Sequence, residues 1–343
     1  MDSKLKELNL KKEEIARDLI AKLDQETIEK TNLTYDKIIE YIYYILEYIA
    51  ASIELEDDEI IIDYLFWLRK MLKINGLPEV FLERNLEGLN HMIYKYTANK
   101  NIARIVNKAI HALEIEKPTK LANDFTKYLE AESEQYLNLV LNQKKREANA
   151  LITDLVHNQN VSIHDLYYYI FERSQKEVGA MWERDEISVA DEHYVSAFTQ
   201  TVIASLYPMI FQTLITKEKV VLMAIENESH ELGIRMIADL FSLDGWDAHY
   251  FGGDVPIDDI LSVIKKNKPY MVVISATFSK NIVYVKRLIE NLKNESIDTK
   301  IFVGGCAFND YPHLAKSIGA DYYTKDFSEI INLANEILKS KKA

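Results

Sequence analysis

The chain has 343 residues, with 41 Lys and Arg against 54 Asp and Glu, a formal net charge of −13. That length gives room for two or three domains, each able to bury a core of its own. The acidic balance argues against general binding to nucleic acid or anionic membrane, because both need a basic face. A single cysteine, Cys306, excludes a disulfide framework and a cysteine-built zinc cluster. The charged start, MDSKLKELNLKKEE, lacks the apolar run of a signal peptide, and no stretch has the roughly 20 uninterrupted apolar residues of a membrane span. The expectation is an acidic, helix-rich cytoplasmic protein.

Residues 1–116 read as an N-terminal helical domain. Tyr35 to Ala50 is almost entirely apolar or tyrosine, which predicts a buried helix. Asp57 and Asp58 precede the run EIIIDYLFWLRKMLKI, which ends in basic residues, Asn75-Gly76 and then Pro78, the order of charges and breakers that brackets a helix. The segment carries 22 acids and 16 bases and shows no recognition helix, so direct DNA binding is not expected of it.

Pro118 breaks that pattern, and residues 117–217 read as a second, four-helix-type block. Ser162-Ile163-His164-Asp165 has the form of a capping box before a helix with Leu166, Tyr169, Ile170, Val178 and Met181 on its apolar face. A further helix starts near Ser188 and is perturbed at Pro208. From residue 218 to 343 the rhythm changes. Short apolar runs (VVLMAI, DAHYF, YMVVISA, KIFVGG, ADYYT) alternate with helical stretches, which predicts α/β architecture: a Rossmann-like or flavodoxin-like five-stranded parallel sheet flanked by helices. Ligands of such sheets bind beyond the carboxyl ends of the strands.

The loop after the first of these strands reads Glu226-Asn227-Glu228-Ser229-His230-Glu231-Leu232-Gly233. His230 projects at the ligand-binding edge, and Glu228 is placed to accept its second ring N–H, the usual support of a metal-binding histidine. Gly233 lets the next helix approach whatever fills the crevice. The third strand ends in Ser275-Ala276-Thr277 and the fourth in Gly304-Gly305, two hydroxyls and a space without side chains. Cys306 reads as a small buried filler, and His91, His111, His157, His249 and His313 as structural residues without evident partners.

In this order the loops resemble the cobalamin-binding domain, whose pattern is Asp/Glu-x-His-x-x-Gly, a Ser-x-Leu or Ser-x-Thr strand end and a Gly-Gly strand end. The resemblance covers roughly residues 120–343. It implies that His230 is the lower axial ligand of cobalt and that the displaced nucleotide tail descends between Ser275, Thr277, Gly304 and Gly305. The helical block resembles the cap over the corrin's upper face. Trp182, nine intervening residues and Glu192-His193 match the signature of adenosylcobalamin-dependent photoreceptors. That match implies that Trp182 packs against the upper ligand, that Glu192 accepts hydrogen bonds from an adenosyl group, and that Val189 lines the same pocket.

The function expected on this resemblance is a non-catalytic light sensor. It holds adenosylcobalamin in the dark, changes conformation or assembly when the cobalt–carbon bond breaks, and signals through protein contacts as a homo-oligomer or through a partner of the N-terminal domain. Two departures stand against it: the acidic N-terminal domain, and Glu183 where the best-known members carry a histidine after the motif tryptophan. The alternative is a corrinoid carrier of methyl groups in a methyltransferase system, with methylcobalamin on the same His230.

Overall fold

A computed structural model describes residues 3–21, 34–77, 79–97, 100–113, 127–325 and 329–342. The chain divides into two compact units, Met1–Leu121 and Ala122–Ala343. Pro78, Pro118 and the expected boundary at residues 116–117 lie outside the described residues.

The first unit contains helices α1 (Ser3–Ile20), α2 (Tyr35–Glu54), α3 (Glu59–Ile74), α4 (Glu79–Thr97) and α5 (Lys100–Leu113). Thr34 opens α2 by accepting a hydrogen bond from the Lys37 N–H at 3.3 Å, and Ile38, Ile42, Ile45, Leu46 and Ile49 line its buried face. Ahead of α3, Asp57 Oδ1 accepts from the Glu59 N–H at 3.0 Å, and buried Ser52 accepts from the Ile61 N–H at 3.1 Å. The helix stops at Asn75 and Gly76, whose φ of +83° is the left-handed turn expected of that glycine. Between α2 and α3, Tyr48 and Tyr64 stack with ring centroids 4.0 Å apart. No helix among the described residues is long and apolar enough to cross a membrane.

The second unit starts with helices α6 (Glu130–Leu141) and α7 (Lys145–His157). Ser162 then accepts from the Asp165 N–H at 3.0 Å and opens a short turn, as the capping pattern predicts. That turn leads into a π-helical segment, Leu166–Glu172, which continues as α8 (Arg173–Glu183). Leu166, Tyr167, Ile170 and Phe171 are the buried set, whereas Tyr169, expected on the apolar face, is only half-buried and packs edge-on to Tyr128. Helices α9 (Val189–Ser205) and α10 (Tyr207–Ile210) complete the cap. A full capping box between Ser188 and Asp191 starts α9.

The remainder of the unit is the sheet and its helices: β1 (Lys219–Ala224), α11 (Leu232–Leu243), β2 (Asp247–Tyr250), α12 (Ile257–Asn267), β3 (Met271–Ser275), α13 (Ile282–Asn294), β4 (Lys300–Gly304), α14 (Cys306–Asp310), α15 (Pro312–Ser317), β5 (Tyr322–Tyr323) and α16 (Ile330–Lys342). All pairs are parallel and the order is β2-β1-β3-β4-β5. Val220, Val221 and Leu222 are completely buried because helices cover both faces, which is why the central strands read as continuous apolar runs. The short helix α14 was not expected; the strand end Gly304-Gly305 passes directly into it.

Helix α11 belongs to two cores. Ile234, Ala238 and Phe241 pack on the sheet, while Met236 and Leu240 join the cap core with Tyr136, Tyr167 and Phe171. Two polar contacts add to this seam. The Tyr167 hydroxyl donates to Asp239 Oδ2 at 2.8 Å, and Arg235 Nε donates to the Tyr207 hydroxyl at 3.1 Å. A helix covered on opposite faces in this way holds the cap against the sheet.

Candidate functional site

The loops expected to carry function meet at the carboxyl edge of the sheet, where β1 and β3 run side by side with Ala224 opposite Ser275, and β3 and β4 with Ser275 opposite Gly304. The loop after β1 turns back at Asn227, φ +64°, whose N–H donates to Asp254 Oδ1 at 2.7 Å, while the Asp254 N–H donates to the Glu228 carbonyl at 2.9 Å. Gly253 lies against this turn so closely that a Cβ there would be 2.8 Å from the Glu228 carbonyl oxygen. The Gly-Gly pair after β2 therefore shapes the β1 loop.

Glu228 is fully buried, 0% exposed, and both carboxylate oxygens are saturated. Oε1 accepts from His230 Nδ1 at 2.6 Å and from the His230 N–H at 3.1 Å. Oε2 accepts from the N–H groups of Thr277 and Phe278 at 2.8 and 3.0 Å and from Asn281 Nδ2 at 3.0 Å. Burial pushes this carboxyl up, but the bonds from His230, Phe278 and Thr277 and the imidazole charge outweigh it and hold it at about 2. In return the hydrogen bond to Glu228 raises the His230 imidazole against the opposing effect of burial, and Glu192 of the cap contributes to the same rise. The ring is held as an Nδ1–H donor, which leaves Nε2 as the nitrogen able to meet a ligand. Its side chain is 52% exposed, beside Phe278, whose ring meets the imidazole edge-on at 4.9 Å.

Two residues important to this arrangement escape a reading of the sequence. Asn281 is completely buried and braces both Glu228 Oε2 and the Asn227 carbonyl, each at 3.0 Å. It lies six residues beyond Ser275, and nothing local distinguishes it from a solvated loop asparagine. Phe278 had one legible signal, a large apolar side chain just past a strand end.

Ser275 and Gly304 end adjacent strands, and Gly305 is a strict glycine position: φ is +95°, and a Cβ would lie 2.4 Å from the Ala276 carbonyl oxygen. A Cβ at Gly304 or at Gly233 would meet nothing within 4 Å, so open space adjoins both. Thr277 contributes through its backbone N–H to Glu228. On the cap, Trp182 lies half-buried near the end of α8, Val189 is exposed, and Glu192 with His193 stands in the first turn of α9. Glu192 Oε2 pairs with His193 Nδ1. Two expectations need correction. Cys306 is exposed, because it opens α14 at the sheet edge and does not fill a core. His249 and His313 have partners: Asp247 Oδ1 lies 3.0 Å from His249 Nε2, since alternate residues share one face of a strand, and the His313 ring meets that of Tyr311 edge-on at 6.3 Å.

A half-exposed imidazole backed by a buried carboxylate, open space at the glycine strand ends and a helical cap opposite fit a corrinoid ligated from below by protein. This is a cobalamin-binding module, and comparison with known proteins agrees. Residues 218–331 match a family model described as a B12 binding domain, and residues 132–207 match a second model of the same description. A dimethylamine corrinoid protein of Methanosarcina acetivorans is 31% identical over 116 residues, 33% of this chain and 54% of that protein. One from Methanosarcina mazei is 30% identical over 119 residues, 34% of this chain and again 54% of the relative. The match thus spans about half the length of these curated relatives. The structure of a monomethylamine corrinoid protein from Methanosarcina barkeri superposes with a TM-score of 0.55 at 19% identity, covering 61% of this chain and 99% of that one, a likeness of fold.

These relatives overturn the expectation of an adenosylcobalamin light sensor, since they are named as corrinoid proteins of methylamines. Glu192 has a local reason to be acidic. The chain turns between α8 and α9 at Asp185, φ +59°, and restarts in the Ser188–Asp191 capping box, with Asp191 and Glu192 in the acidic first turn that a helix favours. Those requirements favour an acid at position 192 whatever lies beneath the cap.

Proposed function

We propose that this protein is a corrinoid methyl carrier. Its second unit holds cobalamin with His230 below cobalt and the cap above, and a methyltransferase is its partner. Cobalamin, when bound, supplies a cobalt centre able to accept a methyl group and to give it up. The protein's own part is to hold that centre. Glu228, pinned by Thr277, Phe278 and Asn281, fixes the imidazole tautomer. Ser275, Gly304 and Gly305 are assigned to the nucleotide tail, with Gly233 beside it. Trp182, Val189, Glu192 and His193 are assigned to the upper face.

The observation that carries this reading is the saturated Glu228–His230 pair at the strand ends, in a chain whose relatives are corrinoid proteins. The test is to load the protein with methylcobalamin in darkness and add corrinoid-dependent methyltransferases of the same host with a thiol acceptor. Loss of the methyl–cobalt absorption with one equivalent of methylated thiol is expected. Retention of the methyl group with every enzyme tried, by protein that has bound the cofactor, would contradict the carrier role.

A further inference from the structure

Phe278 touches both members of the Glu228–His230 pair. Its N–H donates to Glu228 Oε2 at 3.0 Å, and its ring stands nearly perpendicular to the imidazole, at 82° with the centroids 4.9 Å apart. Its carbonyl accepts from the N–H of buried Asn281 at 2.9 Å, so the backbone of Phe278 is held at both of its polar groups. The phenyl anchored in this way is nevertheless 40% exposed.

A single exposed apolar side chain is ordinary on a protein surface. Phe278 differs through its neighbour. The imidazole beside it is 52% exposed, and its Nδ1 is taken by Glu228, which leaves Nε2 to a ligand. A ligand the size of water on that nitrogen would leave the phenyl wet. A corrin is several times wider than an imidazole, so a corrin seated on Nε2 also lies over the exposed surface that adjoins the ring, and the phenyl is part of that surface. Covering it takes apolar area out of water, which adds to the affinity for the cofactor. It also excludes water from the flank of Nε2, where a water hydrogen would compete for the lone pair that coordination needs.

We propose that Phe278 is a cofactor-contacting residue, an apolar screen beside the lower ligand that keeps water from His230 Nε2 and so holds the imidazole on cobalt. The inference rests on the cobalamin reading of this module, with His230 below the metal. The two roles of Phe278 divide between its backbone and its side chain. The N–H braces Glu228 and survives any replacement except proline, whereas the screen is the ring alone. A substitution at this position therefore tests the screen without removing the brace.

The test uses the full chain loaded with cob(II)alamin and reads two quantities, the dissociation constant and the nitrogen splitting of the cobalt signal in electron paramagnetic resonance. Phe278→Ala is expected to raise the dissociation constant about tenfold, the worth of the apolar cover lost, and to give a mixed signal in which part of the cobalt lacks a lower nitrogen. Phe278→Leu keeps an apolar cover and should stay within about threefold of wild type with the splitting complete. Phe211→Ala removes a phenyl that is 72% exposed in the segment leading into β1, and should change neither quantity. A dissociation constant within about twofold of wild type, with complete splitting, in Phe278→Ala overturns the proposal while leaving His230 as the ligand. Wild-type protein that binds the cofactor without nitrogen splitting from His230 would remove the reading on which the proposal rests.

Discussion

At the scale of single residues, the site depends on one carboxylate with no acceptor capacity to spare. Replacing His230 by Ala removes the proposed nitrogen ligand, so the spectrum of bound cobalamin should shift to a form without lower imidazole. An unchanged spectrum would place the ligand elsewhere. Asn281→Leu tests the hidden brace: it removes one of three donors from buried Glu228 Oε2 and the donor to the Asn227 carbonyl, and should lower stability by about 1–3 kcal/mol, seen as a lower denaturation midpoint. An unaltered midpoint would show the brace to be dispensable. Glu228 also sets a sign with pH. Its folded pKa of about 2 lies below the ordinary carboxylate value of 4.5, so its contribution is complete above pH 4.5 and is lost as pH falls towards 2. His230, Glu228 and the glycine strand ends are legible in the sequence because each sits at a fixed offset from a strand end. Asn281 and the backbone N–H groups of Thr277 and Phe278 are not, because their value comes from a carboxylate that only folding brings within reach.

At the scale of elements, helix α11 decides how the cap is held, and the sequence shows this only in part. The alternation of strands and helices after residue 218 is written in apolar runs and predicts all five strands. The register of the cap is less open to such reading. Tyr167, rather than Tyr169, faces α11; Tyr167 stands at helical spacing from Ile170 and Phe171, and Tyr169 from Leu166, so periodicity alone does not choose between them. The Tyr167–Asp239 bond at that seam carries its own pH signature. Burial raises Asp239 to about 6 from 3.8, against the opposing effects of Tyr167 and Arg235. A raised carboxyl contributes fully below pH 3.8, and that stability is lost as pH rises through 6, a change of about 3 kcal/mol. Asp239→Asn keeps an acceptor for Tyr167 and removes the ionisation. The variant should therefore gain on wild type in Tm as pH rises from 4 to 7, with no further gain above. A difference independent of pH would show that Asp239 is ionised throughout that range.

At the scale of the whole molecule, the chain joins a helical unit to a cobalamin module that has its own core. Because cap, sheet and His230 all lie in the second unit, a chain beginning at Ala122 should bind cobalamin as the full protein does, within about threefold. A loss of binding would show that the first unit contributes to the site. The central claim is that His230 ligates cobalt from below, and the most direct measurement is electron paramagnetic resonance of the cob(II)alamin-loaded protein, prepared with natural and with nitrogen-15-labelled chain. Coordination by His230 predicts that the nitrogen splitting on cobalt changes from a triplet to a doublet on labelling the protein, and disappears in His230→Ala. A triplet that persists in the labelled protein would mean that the cofactor's own base remains bound, and would contradict the account.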